Sequence, residues 1–174
     1  YVKKTDCVAD IEMVATTFAN YQLLKAPSIN QDFWGVPNGC EAAALLEGFW
    51  YQGLLADMDY QNWIDTMPIS PDYDPYQGFG GSPYGIAKGR FEGIFPPALL
   101  KWGRKFGRLR DLTGANEQLL QETLQRGNPV VVYVTIDFEA PEPDTYPWGT
   151  TLANNHAVLL DGFTADLWHV SDPI

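Results

Sequence analysis

The strongest hydrophobic pattern in the chain runs from Cys40 to Gln52, where Ala42, Ala43, Leu45, Leu46, Phe49 and Trp50 predict a helix that is apolar nearly all round. A helix of that kind is central and buried, and Gly53 supplies its stop. Ahead of it, Tyr21 to Pro27 reads as extended, because Pro27 forbids a continuing helix, and Ser28 to Asn38 reads as loop. Residues Tyr1 to Asn20 are ambiguous; Val8, Ile11, Val14, Ala15 and Phe18 recur at a spacing compatible with a short amphipathic helix. Asp59 to Thr66 predicts a short helix capped by Asp57 or Asp59 and ended by Pro68 and Pro71. Pro96 to Phe106 predicts another, with proline in its first turn, and Glu117 to Arg126 a third, with Leu119, Leu120 and Leu124 on one side and Gly127 closing it. Val130 to Ile136 reads as a central strand. His156 to Gly162 and Leu167 to Asp172 read as two more, joined by Phe163 to Asp166. Helices come first and strands later, which favours α+β over an alternating parallel sheet.

Between these elements, Pro71 to Pro97 is long, loop-like and rich in Gly, Pro and Tyr. Loops of that length in a compact domain are functional or disordered. Its aromatic content argues against disorder, so it is expected to be an ordered wall of a binding cleft.

Bulk properties narrow the field. A chain of 174 residues with 45% hydrophobic content suits one domain with a real core. Six Trp, nine Tyr and nine Phe fit core and groove packing. A net charge of −11 disfavours nucleic acid, which requires a basic face. No run of about eighteen apolar residues exists, so no membrane span is expected. The chain begins at Tyr1, not at an initiator Met, which is expected of a processed or trimmed product. Cys7 and Cys40 allow at most one disulfide, and pairing is not expected, because oxidation would remove a useful thiolate at Cys40.

That thiol is the first candidate for chemistry. Pro37-Asn38-Gly39-Cys40 is a tight polar turn feeding the buried helix, so Cys40 sits at a helix N-terminus, where a thiol pKa is lowered and the thiolate becomes a nucleophile. If the last two strands form a hairpin centred on Thr164, then His156 faces Asp172, Val158 faces Val170 and Leu160 faces Trp168. Directly opposed side chains stand about 4.5–5.5 Å apart at Cβ. Asp172 would then accept the His156 Nδ1–H and leave Nε2 free, the orienting half of a catalytic triad. A tetrahedral intermediate also needs oxyanion donors. Gln31, in the loop before the helix, is the first candidate, with Asn30 and Asn38 behind it. Each residue alone has a plainer reading: a cysteine at a helix start is commonly structural, a strand histidine commonly solvated, an aspartate before proline commonly a turn residue. Their conjunction in this order is what points to a thiol hydrolase.

Other chemistries lack their parts. His169 alternates to the opposite strand face from Asp172 and is expected to be non-catalytic. With only two His and two Cys in the chain, a closed zinc site from these residues is not expected. Asp72 and Asp74 are followed by no EF-hand pattern. Gly80 and Gly85 have P-loop spacing, but Ile86 stands where lysine is required. No Gly-x-Ser-x-Gly elbow occurs. No cofactor is expected.

Asn30-Gln31, Gly39-Cys40-Glu41-Ala42, Asn155-His156-Ala157-Val158 and Asp172-Pro173 resemble the papain-like bacterial peptidases related to the bacteriocin double-glycine leader peptidases (peptidase family C39), and within them the stand-alone C39-like branch of exported proteins in Gram-positive bacteria. Asp74 to Pro83, Gly93 to Leu99 and Gly127 to Val132 are similar to further segments of that branch. The resemblance spans roughly Leu24 to Ile174. It implies a papain-like α+β fold with the Cys40 helix packed on an antiparallel sheet. It also implies Cys40 as nucleophile, His156 as base and acid, Asp172 as orienter and Gln31 as oxyanion donor, with a peptide or protein as substrate and an extracellular or cell-surface location. On this reading 1–23 is an N-terminal extension and 24–174 a peptidase domain expected to continue beyond Ile174. Leader processing coupled to export is not expected, because these residues carry no transporter segment. A cell-wall amidase or acyltransferase, or an idle binding module on the same scaffold, are the rival readings.

Overall fold

The computed structural model describes residues 21–86 and 89–174; the helical pattern before Asn20 and Cys7 lie outside them. The apolar run beginning at Cys40 forms the helix α1, Cys40–Tyr51, in which Ala42 to Leu46 and Phe49 are all buried. Gly53, at φ 71°, ends it, and the Leu54 N–H bonds back to the Phe49 carbonyl at 2.9 Å. α2, Tyr60–Asp65, is capped by Asp59, whose carboxylate accepts the Asn62 N–H at 2.8 Å. α3, Pro96–Gly103, starts on two prolines and stops three residues before the predicted Phe106, the chain going on as turns. α4, Glu117–Gln125, is capped by Asn116 and ends before Gly127 at φ 78°.

The main sheet is antiparallel and built around one strand. The two-residue β1, Gln22–Leu23, β2, Val130–Thr135, and β6, Trp168–Ser171, all pair with β5, Asn155–Phe163. β5 is buried over nearly its whole length, and α1 packs across it. A second, two-stranded sheet, β3 (Pro143–Tyr146) and β4 (Gly149–Leu152), stands on the connection between β2 and β5; the sequence pattern had not pointed to it. Around α1 the core closes through Trp63 of α2, which stacks on Trp102 of α3 at 4.1 Å and donates its indole N–H to the Ala42 carbonyl at 2.9 Å. The mixed helix and antiparallel-sheet architecture is the expected α+β fold.

The hairpin register differs from the expected one. Leu160 pairs with Val170 and Leu159 with Ser171, two positions away from the predicted alignment. The register shifts between Leu160 and Gly162, so Asp161 is the extra residue. A bulge of this kind cannot be read from strand alternation.

Pro71 to Pro97 is ordered by its own backbone over its described residues. Phe79 exchanges hydrogen bonds with the 68–70 segment, Gly80 N–H bonds the Gly93 carbonyl at 2.8 Å, and Phe95 N–H bonds that of Pro75 at 2.9 Å. Gly80 has no room for a side chain: a Cβ there would stand 2.7 Å from the Phe91 carbonyl oxygen.

Two acids interrupt the apolar helix. Glu41 and Glu47 are buried, and loss of solvent pushes each carboxyl from 4.5 up to about 7. Glu47 Oε1 accepts the Ile29 N–H at 2.7 Å, and the Ser171 side chain lies beside the carboxyl, but neither offsets the loss of solvent. The folded protein therefore holds protons that the unfolded chain releases between about pH 4.5 and 7. Linkage then makes stability fall as pH rises through that window and level off above it. Thermal melts from pH 4.5 to 8 should show this decline, and Glu47→Gln should flatten its share. A melting temperature that rises across the window would contradict it.

Candidate functional site

The geometry around Cys40 starts from Gly39. Tyr60 of α2 donates its hydroxyl to the Gly39 carbonyl at 2.8 Å, and a Cβ on residue 39 would lie 1.9 Å from that oxygen. Only glycine lets α2 come this close to the turn that launches α1. Gly39→Ala should therefore lower stability by more than the roughly 1 kcal/mol expected for losing the hydrogen bond in Tyr60→Phe. Adding Tyr60→Phe to Gly39→Ala should recover part of the loss, because the struck oxygen is gone. Denaturant titration checks this, and strictly additive losses would contradict it.

Cys40 is the first residue of α1, buried at 8% exposure. The backbone N–H groups of Ala157 and of Glu41 favour its anion. Burial opposes them, as do the Glu41 charge and the hydrogen bond from Sγ to Glu41 Oε2 at 3.4 Å, and the thiol is pushed well up instead of down. The helix N-terminus is present as expected, but desolvation and a neighbouring carboxylate outweigh it.

His156 is buried near the start of β5, and the next residue, Ala157, turns its N–H toward the Cys40 sulfur. Its ring Nε2 meets Asp172 Oδ1 at 2.7 Å. The expected pair is formed, but through the other nitrogen. Because β6 pairs two positions away from the predicted alignment, Asp172 lies diagonal to His156, not directly across. From there it reaches the farther edge of the ring. With a carboxylate accepting the Nε2–H, Nδ1 carries the free lone pair. No hydrogen bond joins His156 to Cys40; the thiol is bonded to Glu41.

Gln31 is buried at 2% exposure, and its Nε2 donates to the Pro37 carbonyl at 2.8 Å. An amide nitrogen has two N–H groups, and this bond uses one of them. Its backbone N–H bonds the Pro173 carbonyl at 2.8 Å, tying this loop to the residue after Asp172. The alternatives are otherwise employed. Asn38 spends its side-chain amide on the Ser82 and Gly85 carbonyls, both at 2.9 Å, and so pins the Pro71–Pro97 segment to the turn before Cys40. Asn30 Oδ1 caps its own turn through the Phe33 N–H. His169 pairs with Asp161, the bulge residue, whose second oxygen accepts the Ala26 N–H at 3.0 Å.

An aromatic cluster joins the two long connections near the site. Trp148, in the β3–β4 turn, packs on Phe91, Phe95 and Tyr76 and stacks on Tyr146 at 5.3 Å. Phe95 contacts Tyr133, whose hydroxyl bonds the Ile94 carbonyl at 2.6 Å. Ile94 in turn donates its N–H to Glu41. Glu41 and the β3–β4 hairpin are the parts of this region that sequence reasoning missed. An acid inside a helix otherwise apolar all round was the available signal for Glu41.

These features match a known class. Residues 23–174 match the Peptidase_C39 like family, and the chain belongs to that family of cysteine peptidase-like proteins. It is 26% identical over 149 residues to the uncharacterized protein YvpB of Bacillus subtilis (strain 168), an alignment covering 78% of this chain and 58% of that protein's length. The fold matches the crystal structure of a proposed C39-like peptidase from Bacillus anthracis with a TM-score of 0.74, at 22% identity, over 88% of this chain and 82% of the other. Among the described residues no helix is long and apolar enough to cross a membrane.

Proposed function

We propose that the protein is a thiol hydrolase that cleaves a peptide or amide bond through Cys40, His156 and Asp172. The observation that carries this reading is the His156–Asp172 bond at 2.7 Å, made by a buried histidine whose neighbour Ala157 faces the Cys40 sulfur. In this mechanism the Cys40 proton passes to His156 Nδ1, and the thiolate attacks the scissile carbonyl. Asp172 holds the imidazole in the required tautomer and stabilises the imidazolium. The oxyanion takes the second N–H of Gln31 and the Cys40 backbone N–H. The intermediate collapses to a thioester as His156 protonates the leaving amine. Water, deprotonated by His156, then frees the acid and restores the thiol.

Support for a peptide substrate comes from the family and from the exposed Tyr76 and half-buried Trp148, which rest on the buried Phe95 and suit apolar side chains of an extended chain. A location outside the cell or at its surface belongs to the same proposal. The second reading, an idle binding module, draws on the buried thiol held by Glu41 and pushed up in pKa.

A library of quenched fluorescent peptides separates the two. The hydrolase reading expects turnover by the wild type that is lost in Cys40→Ala. Gln31→Ala should keep a residue of activity with kcat lowered roughly 10²–10³-fold, as for loss of one oxyanion donor. Binding of peptides without cleavage, equal in the wild type and Cys40→Ala, would favour the idle module.

A further inference from the structure

Glu41 is out of place by any packing argument. It is 1% exposed and sits at the mouth of an apolar helix. Its carboxyl interacts with its own backbone N–H and, through Oε1, accepts that of Ile94 at 3.2 Å, while its Oε2 receives the Cys40 thiol at 3.4 Å. Burying a carboxylate is costly, and backbone N–H groups could be satisfied by a neutral side chain at lower cost. The segment carrying Gly93 closes over it so tightly that a Cβ there would stand 2.8 Å from Oε1. The carboxyl is thus gripped on one side while its other oxygen is kept against the sulfur.

We propose that Glu41 is a positioning residue for the nucleophile: its carboxylate parks the Cys40 thiol in a resting orientation, and the sulfur becomes reactive on release toward His156. The proposal rests on Cys40 being the nucleophile. It explains why the sulfur is bonded to Glu41 while His156, already held by Asp172, makes no bond to it. Release is a rotation about the Cys40 side chain. The S–H bond then breaks, an N–H bond forms at His156 Nδ1, and Glu41 loses only a hydrogen-bond donor. The ionised Glu41 opposes thiolate formation by charge. The groups that face it from other elements do not offset this. Tyr60 on α2 and Tyr133 on β2 are both pushed up and stay neutral, and His156 on β5 is engaged with Asp172. Of the charged residues beside Gly93, Arg90 lies over the Tyr73 ring and Glu92 packs beside Gly81.

The test is the rate of Cys40 alkylation by iodoacetamide from pH 6 to 11, a range that reaches the raised wild-type midpoint, in the wild type and in Glu41→Gln. The variant should shift the midpoint down by about one unit or more, giving roughly tenfold more thiolate below the wild-type midpoint. Coincident profiles would overturn the proposal. Should Glu41→Gln fail to fold, the wild type supplies the second measurement. Carbon-13 NMR of its glutamate carboxyls should show two titrating near pH 7, those of Glu41 and Glu47, of which only the Glu41 signal moves upward when Cys40 is capped as a methyl disulfide, because the thiol donor is lost. Two signals both unmoved by capping would overturn the proposal equally. Neither readout requires turnover, so Glu41–Cys40 coupling without peptidase activity would defeat the hydrolase reading and leave the coupling standing, and activity with coincident profiles would do the reverse.

Discussion

Burial of α1 against β5 is the constraint on which the rest of this structure depends. The helix offers small and branched apolar side chains on almost every face, and β5 is buried over nearly its whole length. Neither can be solvated without exposing the core, so their contact is non-negotiable and its register is set by packing. That contact brings the first residue of the helix beside the second and third residues of the strand: Cys40 at one, His156 and Ala157 at the other. The candidate nucleophile is thus placed at one end of a buried helix–strand interface, where position is held by packing.

The other parts are brought to that end by backbone ties. Gln31 N–H holds the Pro173 carbonyl, which ties the loop that carries Gln31 to the tail that carries Asp172. Asn38 holds the Ser82 and Gly85 carbonyls, so the long Gly- and Tyr-rich segment cannot leave the turn before Cys40. Asn154 does the same for the β3–β4 hairpin, bonding the Ala140 carbonyl and the Glu142 N–H just ahead of His156. For Asn38 and Asn154 an amide side chain in a loop replaces the hydrogen bonds that regular structure would have supplied. Glu41 and Glu47 stand apart as buried acids. They are costly to stability near neutral pH and so mark places where something other than packing was retained.

Much of this was legible from sequence. Helical periodicity and stop signals gave α1, α2 and α4 to within a residue or two, because Gly53, Asp59 and Gly127 act locally. The His156–Asp172 pair was legible because two short strands with a tight connection must fold back on each other. Its atomic detail was not: pairing starts at Phe163 and Trp168, so the turn lies further along the chain than one centred on Thr164, and the Asp161 bulge then changes the register by one, leaving it two positions from the expected alignment. Asp172 meets Nε2 of the ring, not the expected Nδ1. The thiol also ran opposite to the helix-terminus argument: a dipole effect worth about 1 kcal/mol is small beside burial and an adjacent carboxylate. The β3–β4 hairpin escaped notice because its exposed strands bury too little to leave an alternating pattern.

The central claim, that the Cys40 sulfur becomes covalently joined to the carbonyl carbon it attacks, is tested most directly by trapping. The protein would be mixed with a peptide ester bearing an apolar acyl side chain, quenched in acid within milliseconds, digested and read by mass spectrometry. The account predicts the acyl mass on the Cys40 peptide, gained and lost with turnover and absent in His156→Ala. Turnover of the ester with no acyl group on Cys40, or with the acyl group on another residue, would contradict it.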